Sequence, residues 1–329
     1  MDAITAGPTA TSTGAPSSRG ATRLRTTAAL VALLALVGAL LPQPTEAQTT
    51  WTAADDATIR PGVQLLSASG QCTANFVFTQ GDDVLLGSAA HCTGLGAATD
   101  TDGCQAGSLP LGSPIEIEGA EHPGELAYSS WETMNQNREA DPATCAFNDF
   151  ALIRLDSRDH DRVNPTIPHW GGPTALGDET ASLERVYSYG NSSLRAGLAL
   201  LKPKTGLSLG SSAEGWTHTV YTATPGIPGD SGSAFLDADG RAVGVLSTLA
   251  LAPAALSNGV SDLARSLAYA NAHDTGQTIQ LARGTQAFQG ERLPIGGTDL
   301  STQSTPDDAP SAGVEIRYNI LGHQGSLGF

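Results

Sequence analysis

Short apolar or alternating runs, separated by clusters of Gly, Pro, Asn and Asp, fill the chain from about Gln64 to Ser247. Alternation with a period of two predicts half-buried strands, and turn residues between them predict antiparallel connections rather than βαβ units. Ile115-Glu116-Ile117-Glu118 alternates cleanly. Residues 76–79 and 84–86 read as a hairpin, and 185–189, 198–201 and 217–222 as further strands. Residues 233–236 and 242–247 flank Asp237-Ala238-Asp239-Gly240, a turn sequence, and predict another hairpin. One segment breaks the pattern. Val260, Leu263, Ala264, Leu267 and Ala268 recur at helical spacing, and the stripe stops at Asn271, so a helix should pack on the barrel it follows. Residues 165–173, with Trp170-Gly171-Gly172, predict an extended connection between two halves and an aromatic packed between them. The expected fold class is all-β, in two barrels.

The two ends read differently. Arg19, Arg23 and Arg25 precede an apolar run from Ala28 to Leu41, followed by Pro42-Gln43-Pro44-Thr45-Glu46-Ala47. This is the pattern of a secretory signal peptide, residues 1–47, and the run is shorter than the roughly 20 residues that span a bilayer. Residues 48–285 then form the folded domain, and 286–329 a polar tail, partly disordered, around Ser304-Thr305-Pro306-Asp307-Asp308. Only residues 48–63 separate the cleavage site from the first strand, too few for a folded pro-domain.

Of 329 residues, 17 are Lys or Arg and 33 are Asp or Glu, for a formal net charge of −16. That balance argues against a nucleic-acid partner or an anionic membrane surface. Secretion to the extracellular space is the expected localisation, with no membrane association after signal removal. The oxidising compartment would bridge the four cysteines, Cys72, Cys92, Cys104 and Cys145, in one of three pairings. No two have C-x-x-C spacing and the seven histidines are scattered, so neither metal nor cofactor is expected.

The chemistry concentrates in Pro228-Gly229-Asp230-Ser231-Gly232-Ser233, where a serine hydroxyl stands among glycines whose bare N–H groups can face a reacting carbonyl. A serine is a poor nucleophile at neutral pH and needs a base, itself oriented by a third group. Ser88-Ala89-Ala90-His91-Cys92 and Asn148-Asp149-Phe150-Ala151-Leu152-Ile153 supply candidates for both. With these motifs in the order His91, Asp149, Ser231, the sequence resembles the chymotrypsin-like serine endopeptidases, in particular those secreted by actinobacteria, over roughly Gln64 to His273.

The resemblance implies two antiparallel six-stranded β-barrels with a C-terminal helix. It implies His91 as general base, Asp149 as its orienting partner, Ser231 as nucleophile, and the N–H groups of Gly229 and Ser231 as the oxyanion hole. It selects the pairing Cys72 with Cys92, leaving Cys104 with Cys145, which would tie the segment after His91 to the strand bearing Asp149. It puts Pro225 at the base of the specificity pocket, Ser247-Thr248-Leu249 along one wall and Gly259 on the other. Pro225 where an Asp would select Lys or Arg excludes trypsin-like cleavage, and Leu249 at the pocket mouth implies small or medium apolar residues before the scissile bond. The Ile-Val-Gly-Gly segment that activates zymogens is absent, so Asp230 should meet an internal cation or hydrogen-bond donors. The expected activity is that of a secreted, monomeric endopeptidase acting on protein or peptide substrates. Two other functions fit the same residues: a catalytically idle binding module on this fold, and an esterase using the same triad.

Overall fold

The first half of the chain builds seven strands whose alternating residues close over one core. They are β1 (Gln64–Ser67), β2 (Gly70–Thr73), β3 (Val77–Gln80), β4 (Asp83–Ser88), β5 (Pro114–Ile117), β6 (Gly124–Ser129) and β7 (Ala151–Arg154). Ile115 and Ile117 point inward while Pro114 and Glu116 face solvent, as the alternation predicts. The second half adds β8 (Ser182–Tyr189), β9 (Pro203–Ser212), β10 (Thr217–Thr222), β11 (Ala234–Leu236), β12 (Ala242–Leu249) and β13 (Asn258–Asp262). Then come the two-residue β14 (Gln280–Leu281) and a separate antiparallel hairpin, β15 (Glu315–Ile320) with β16 (His323–Gly328). The computed structural model describes residues 50–96, 101–249, 256–273 and 276–294, with the backbone of 315–320 and 323–328. The expected signal peptide, 1–47, and most of the expected tail lie outside the described residues.

The second half is a closed six-stranded barrel in the order β10-β13-β12-β11-β8-β9. The first half is an antiparallel sheet in the order β14-β3-β4-β7-β6-β5-β1-β2. It curls round because β2 and β3, at or next to opposite ends of that order, are one bent stretch of chain. Ala74 between them exchanges backbone hydrogen bonds with Gly62 and Val63, while Asn75 and Phe76 bond Gly87. One bent strand thus serves two neighbours, which leaves a six-position barrel with β14 added at β3. Closure satisfies strand edges that would otherwise be open to pairing.

Val186, Val220, Phe235, Val243, Leu246 and Val260 fill the second barrel. A larger cluster joins Phe76, Phe78, Phe150 and Leu152 of the first half to Tyr187, Leu236, Val245, Leu263 and Leu267 of the second. Trp170 belongs to it, fully buried, its ring edge-on to Tyr187 at 4.9 Å and its indole N–H donating to Ser188 O at 2.7 Å. Tyr187 meets Phe288 at 5.1 Å and donates to Gly290 O, so the described chain beyond residue 285 lies on the second barrel.

Three helices are present among the described residues: α1 (Ser130–Asn137), α2 (Pro142–Phe147) and α3 (Leu263–His273). Only the last was expected, and its stripe differs from the sequence reading: Leu263, Ser266, Leu267 and Ala270 are buried, whereas Val260 belongs to β13. Residues 198–201, expected as a strand, form a short 3-10 turn with Leu198 and Leu200 exposed. Helix α2 starts on Asp141, whose carboxylate accepts from Thr144 N at 2.8 Å, with Pro142 at the first helical position.

Replacing Trp170 by Ala removes the largest buried side chain of the shared cluster and its hydrogen bond to Ser188 O. Urea titration of Trp170→Ala should show a loss of about 3–5 kcal/mol in unfolding free energy. A loss below about 1 kcal/mol would contradict its packing role.

Candidate active site

His91 lies on a single 3-10 turn, Ala90–Thr93, directly after β4. The turn is pinned by a disulfide from Cys92 to Cys72 on β2. Asp149 follows α2 and immediately precedes β7, and α2 is tied to the loop after His91 by the Cys104–Cys145 disulfide. The second bridge therefore lands on the helix ahead of the Asp149 strand, not on the strand. Both attachments serve one contact: His91 Nδ1 stands 2.7 Å from Asp149 Oδ2, and His91 N donates to Asp149 Oδ1 at 2.9 Å. Ser247 Oγ on β12 donates to Asp149 Oδ2 at 2.6 Å. Asp149 is buried, so each of these hydrogen bonds offsets desolvation of the carboxylate.

Burial alone would push the His91 imidazole down, but the Asp149 charge and the hydrogen bond to it outweigh burial, and His91 titrates above its ordinary 6.5. For Asp149, burial pushes upward and is overcome by the His91 charge and by hydrogen bonds from His91 and Ser247, leaving it below the usual carboxylate range. The opposite ring nitrogen, Nε2, has no protein partner among the described residues except Cys92 Sγ at 3.9 Å, a bridged sulfur with no proton to give.

A cleft of about 500 Å³ runs beside this pair, lined by His91, Asp149, Gly229, Ser231, Ser247, Thr248, Leu249 and Asn258 among others. Ser231 is thus in the same cleft as His91 and Asp149, but no hydrogen bond joins its Oγ to His91 Nε2. Such contacts are often long without substrate. Its carbonyl accepts from Thr73 N at 2.8 Å, which fixes the serine's backbone against the first half of the molecule.

From Gly226 to Ser233 every backbone N–H has an acceptor among the described residues except those of Gly229 and Ser231. Gly226 N bonds Asn258 Oδ1, Ile227 N bonds Asp230 Oδ2, and Asp230, Gly232 and Ser233 bond backbone carbonyls. Two unsatisfied donors two residues apart, both in the cleft lining, form a site for a negative oxygen. Gly229 has φ +93, a conformation that favours glycine, and a Cβ there would meet the Gln71 amide and lie 3.1 Å from Ser192 Cα.

Asp230 is fully buried and meets internal cations: Arg195 Nη2 at 2.7 Å and Lys204 Nζ at 3.1 Å from Oδ2. Its Oδ1 accepts from Ser192 N at 3.0 Å. Burial holds the Lys204 ammonium below its ordinary value against the pull of Asp230.

Of the five expected pocket residues, Ser247, Thr248 and Leu249 line the cleft, while Pro225 and Gly259 do not. Pro225 O is tied to Arg195 Nη2 at 2.8 Å, and Gly259 packs against the Thr248 side chain. Asn258, unmarked in the sequence, lines the cleft beside them: it is buried, its amide oxygen accepts from Gly226 N and its amide nitrogen donates to Thr248 O. Nothing in the sequence marks Asn258, because its role depends on two backbone segments that only the fold brings together. Among the described residues two groups gather possible metal ligands, Cys72/His91/Cys92 and Asp102/Cys104/Cys145, and each contains bridged sulfurs, which offer no thiolate.

The His91 shift carries a sign that can be checked. In the wild type the imidazole should titrate above 6.5 by NMR; in Asp149→Asn, burial is left without the opposing charge and the value should fall below 6.5. His91 contributes stability in full below its unfolded value of about 6.5, lost as pH rises through its folded value; Asp149 contributes above about 3.8, lost as pH falls through its own. A His91 value in Asp149→Asn equal to or above that of the wild type would contradict the assignment of cause.

No protein-family model matches this chain, and no curated protein matches it. Among solved structures it is similar to protease A of Thermobifida fusca, at 18% identity and a TM-score of 0.44, covering 69% of this chain and 100% of that one. The Cellulomonas bogoriensis chymotrypsin is 15% identical with a TM-score of 0.39, covering 69% of this chain and 98% of that one. The alpha-lytic protease homolog N4 is 16% identical with a TM-score of 0.36, covering 67% and 97%.

Proposed function

We propose that this protein is a secreted serine endopeptidase that cleaves peptide bonds through an acyl-enzyme on Ser231. The observation that carries the reading is a buried carboxylate orienting an imidazole whose other nitrogen is unpartnered, in one cleft with a serine and two unused backbone N–H groups. These are the parts that acyl transfer needs. His91 Nε2 takes the Ser231 proton as Oγ attacks the carbonyl carbon, and gives it to the leaving amine when the tetrahedral intermediate collapses. Asp149 stays ionised, holds the Nδ1 proton and stabilises the imidazolium. The developing oxyanion meets Gly229 N–H and Ser231 N–H, each worth about 3 kcal/mol in the transition state. Water then attacks the acyl-enzyme, with His91 again as base.

Asp230 supports a second part of the reading. Its carboxylate is neutralised by Arg195 and Lys204, so the reactive loop needs no amino terminus released by cleavage to hold it. With Asn258 and Leu249 in the cleft lining, the expected preference is for small or medium apolar residues before the scissile bond of proteins or peptides outside the cell. Among the described residues no helix is long and apolar enough to cross a membrane.

A diverse peptide pool digested with the secreted form should yield cuts after small or medium apolar residues, none after Arg, and Ser231→Ala should abolish them. Asn258→Ala should enlarge the cleft and shift preference toward larger apolar residues by on the order of tenfold in relative kcat/KM. Cleavage that survives in Ser231→Ala, or turnover of esters with no peptide cut, would contradict the endopeptidase reading.

A further inference from the structure

Ile227, Pro228, Gly229 and Asp230 form a β-turn closed by Asp230 N donating to Ile227 O at 2.9 Å. Proline at the second position and glycine with φ +93 at the third give it the geometry of a type II turn. Types I and II differ by the orientation of their central peptide, here Pro228–Gly229. A rotation of that one peptide, which glycine permits at either sign of φ, turns one into the other without moving the turn's ends. The central peptide carries Gly229 N–H, one of the two unsatisfied donors of the cleft. The donor is therefore present in one of the two turn forms and removed in the other.

What selects the form is visible at the other side of the peptide. Pro228 O accepts from Ser192 Oγ at 2.5 Å, and Ser192 is buried and does not line the cleft. Carbonyl and N–H point in opposite directions across a trans peptide, so tying Pro228 O to Ser192 sends Gly229 N–H the other way. Gly229 O is held in turn by Gln71 Nε2 at 3.0 Å and Thr73 Oγ1 at 2.7 Å, and Gln71 Oε1 accepts from Ser193 N at 3.0 Å. Ser192 is itself fixed by its own N–H on Asp230 Oδ1 and by Leu194 N donating to its hydroxyl at 3.2 Å.

We infer that Ser192 is a positioning residue, whose hydroxyl latches the Pro228–Gly229 peptide in the orientation that offers Gly229 N–H to the cleft. The inference deepens the function proposed above and rests on it for its kinetic consequence, though not for its structural one. The latch sits on a loop remote from Ser231 in sequence and touches neither substrate nor nucleophile. It acts only by setting which face of one peptide is presented.

The test compares the wild type, Ser192→Ala and Ser192→Thr for kcat and KM on an ester substrate, together with crystal structures of the variants. Loss of the latch should lower kcat on the order of ten- to a hundredfold, below the 10²–10³ expected for complete loss of one oxyanion donor, with KM changed by less than about threefold. Ser192→Thr, which keeps the hydroxyl, should recover kcat to within about threefold of the wild type. The Ser192→Ala structure should show the Pro228 carbonyl turned and Gly229 at negative φ. If Ser192→Ala does not fold, Ser192→Cys, which replaces the hydroxyl by a much weaker donor, is read by the same two measurements. Unchanged kcat in a folded Ser192→Ala, or no recovery in Ser192→Thr, overturns the inference. A wild type that turns over no substrate overturns the proposed function instead. The variant structure then still decides the latch, which fails if the turn remains type II.

Discussion

A carboxylate with no access to water costs several kcal/mol unless charge and hydrogen bonds replace its hydration, and Asp230 is such a group. The residues that replace that hydration are Arg195, Lys204 and the backbone N–H groups of Ser192 and Ile227. They come from the loop before β9, from β9 itself and from the turn ahead of Ser231. Meeting the electrostatic demand of one side chain therefore brings the loop that carries Ser192 against the turn that carries Gly229. The unpartnered donors, the turn geometry and the placement of Ser231 all follow from that assembly. Removing Asp230 would leave two cations facing each other without compensation, which is why the anchor is structural before it is catalytic.

The rest of the site is made across the seam between the two halves. Thr73 on β2 binds Ser231 O through its N–H and Gly229 O through its hydroxyl, and accepts from Asn191 N. In the other direction, Ser247 on β12 donates to Asp149, and Ser261 on β13 accepts from Asp149 N. Each half thus holds the reactive groups of the other, while the shared apolar cluster around Trp170 keeps the halves from sliding. The disulfides add to this on one side only, since both belong to the half that carries His91 and Asp149. The serine side has no covalent staple and relies on the Asp230 cluster.

Much of this was legible in the sequence, and the failures have physical reasons. Strands such as Pro114–Ile117 were readable because their alternation matches burial. Strand β9 was not, because its pattern is inverted: Leu207 and Leu209 face outward while Ser208 and Lys204 are buried and meet polar or charged partners. The exposed leucines at 198 and 200 misled in the same way, as an apolar run that is not buried. Helices α1 and α2 are too short for a periodic stripe, although Ser129 with Glu132 and Asp141 with Pro142 carry recognisable start signals. At the site, the three motifs stood out because each has its own local signature. Ser192, Asn258, Gln71 and Arg195 have none, since what they do depends on backbone groups distant in the chain. Pro225 and Gly259 were placed in the pocket by the family resemblance, and the residues beside them, Gly226 and Asn258, line the cleft.

The most direct measurement is a crystal structure of the protein reacted with a peptide boronic acid, whose tetrahedral adduct imitates the reaction intermediate. The account predicts boron bonded to Ser231 Oγ, one boronate oxygen within about 2.7–3.1 Å of both Gly229 N and Ser231 N, and His91 Nε2 facing the leaving-group side. An adduct on another residue, or one on Ser231 whose oxygens avoid both N–H groups, would contradict it.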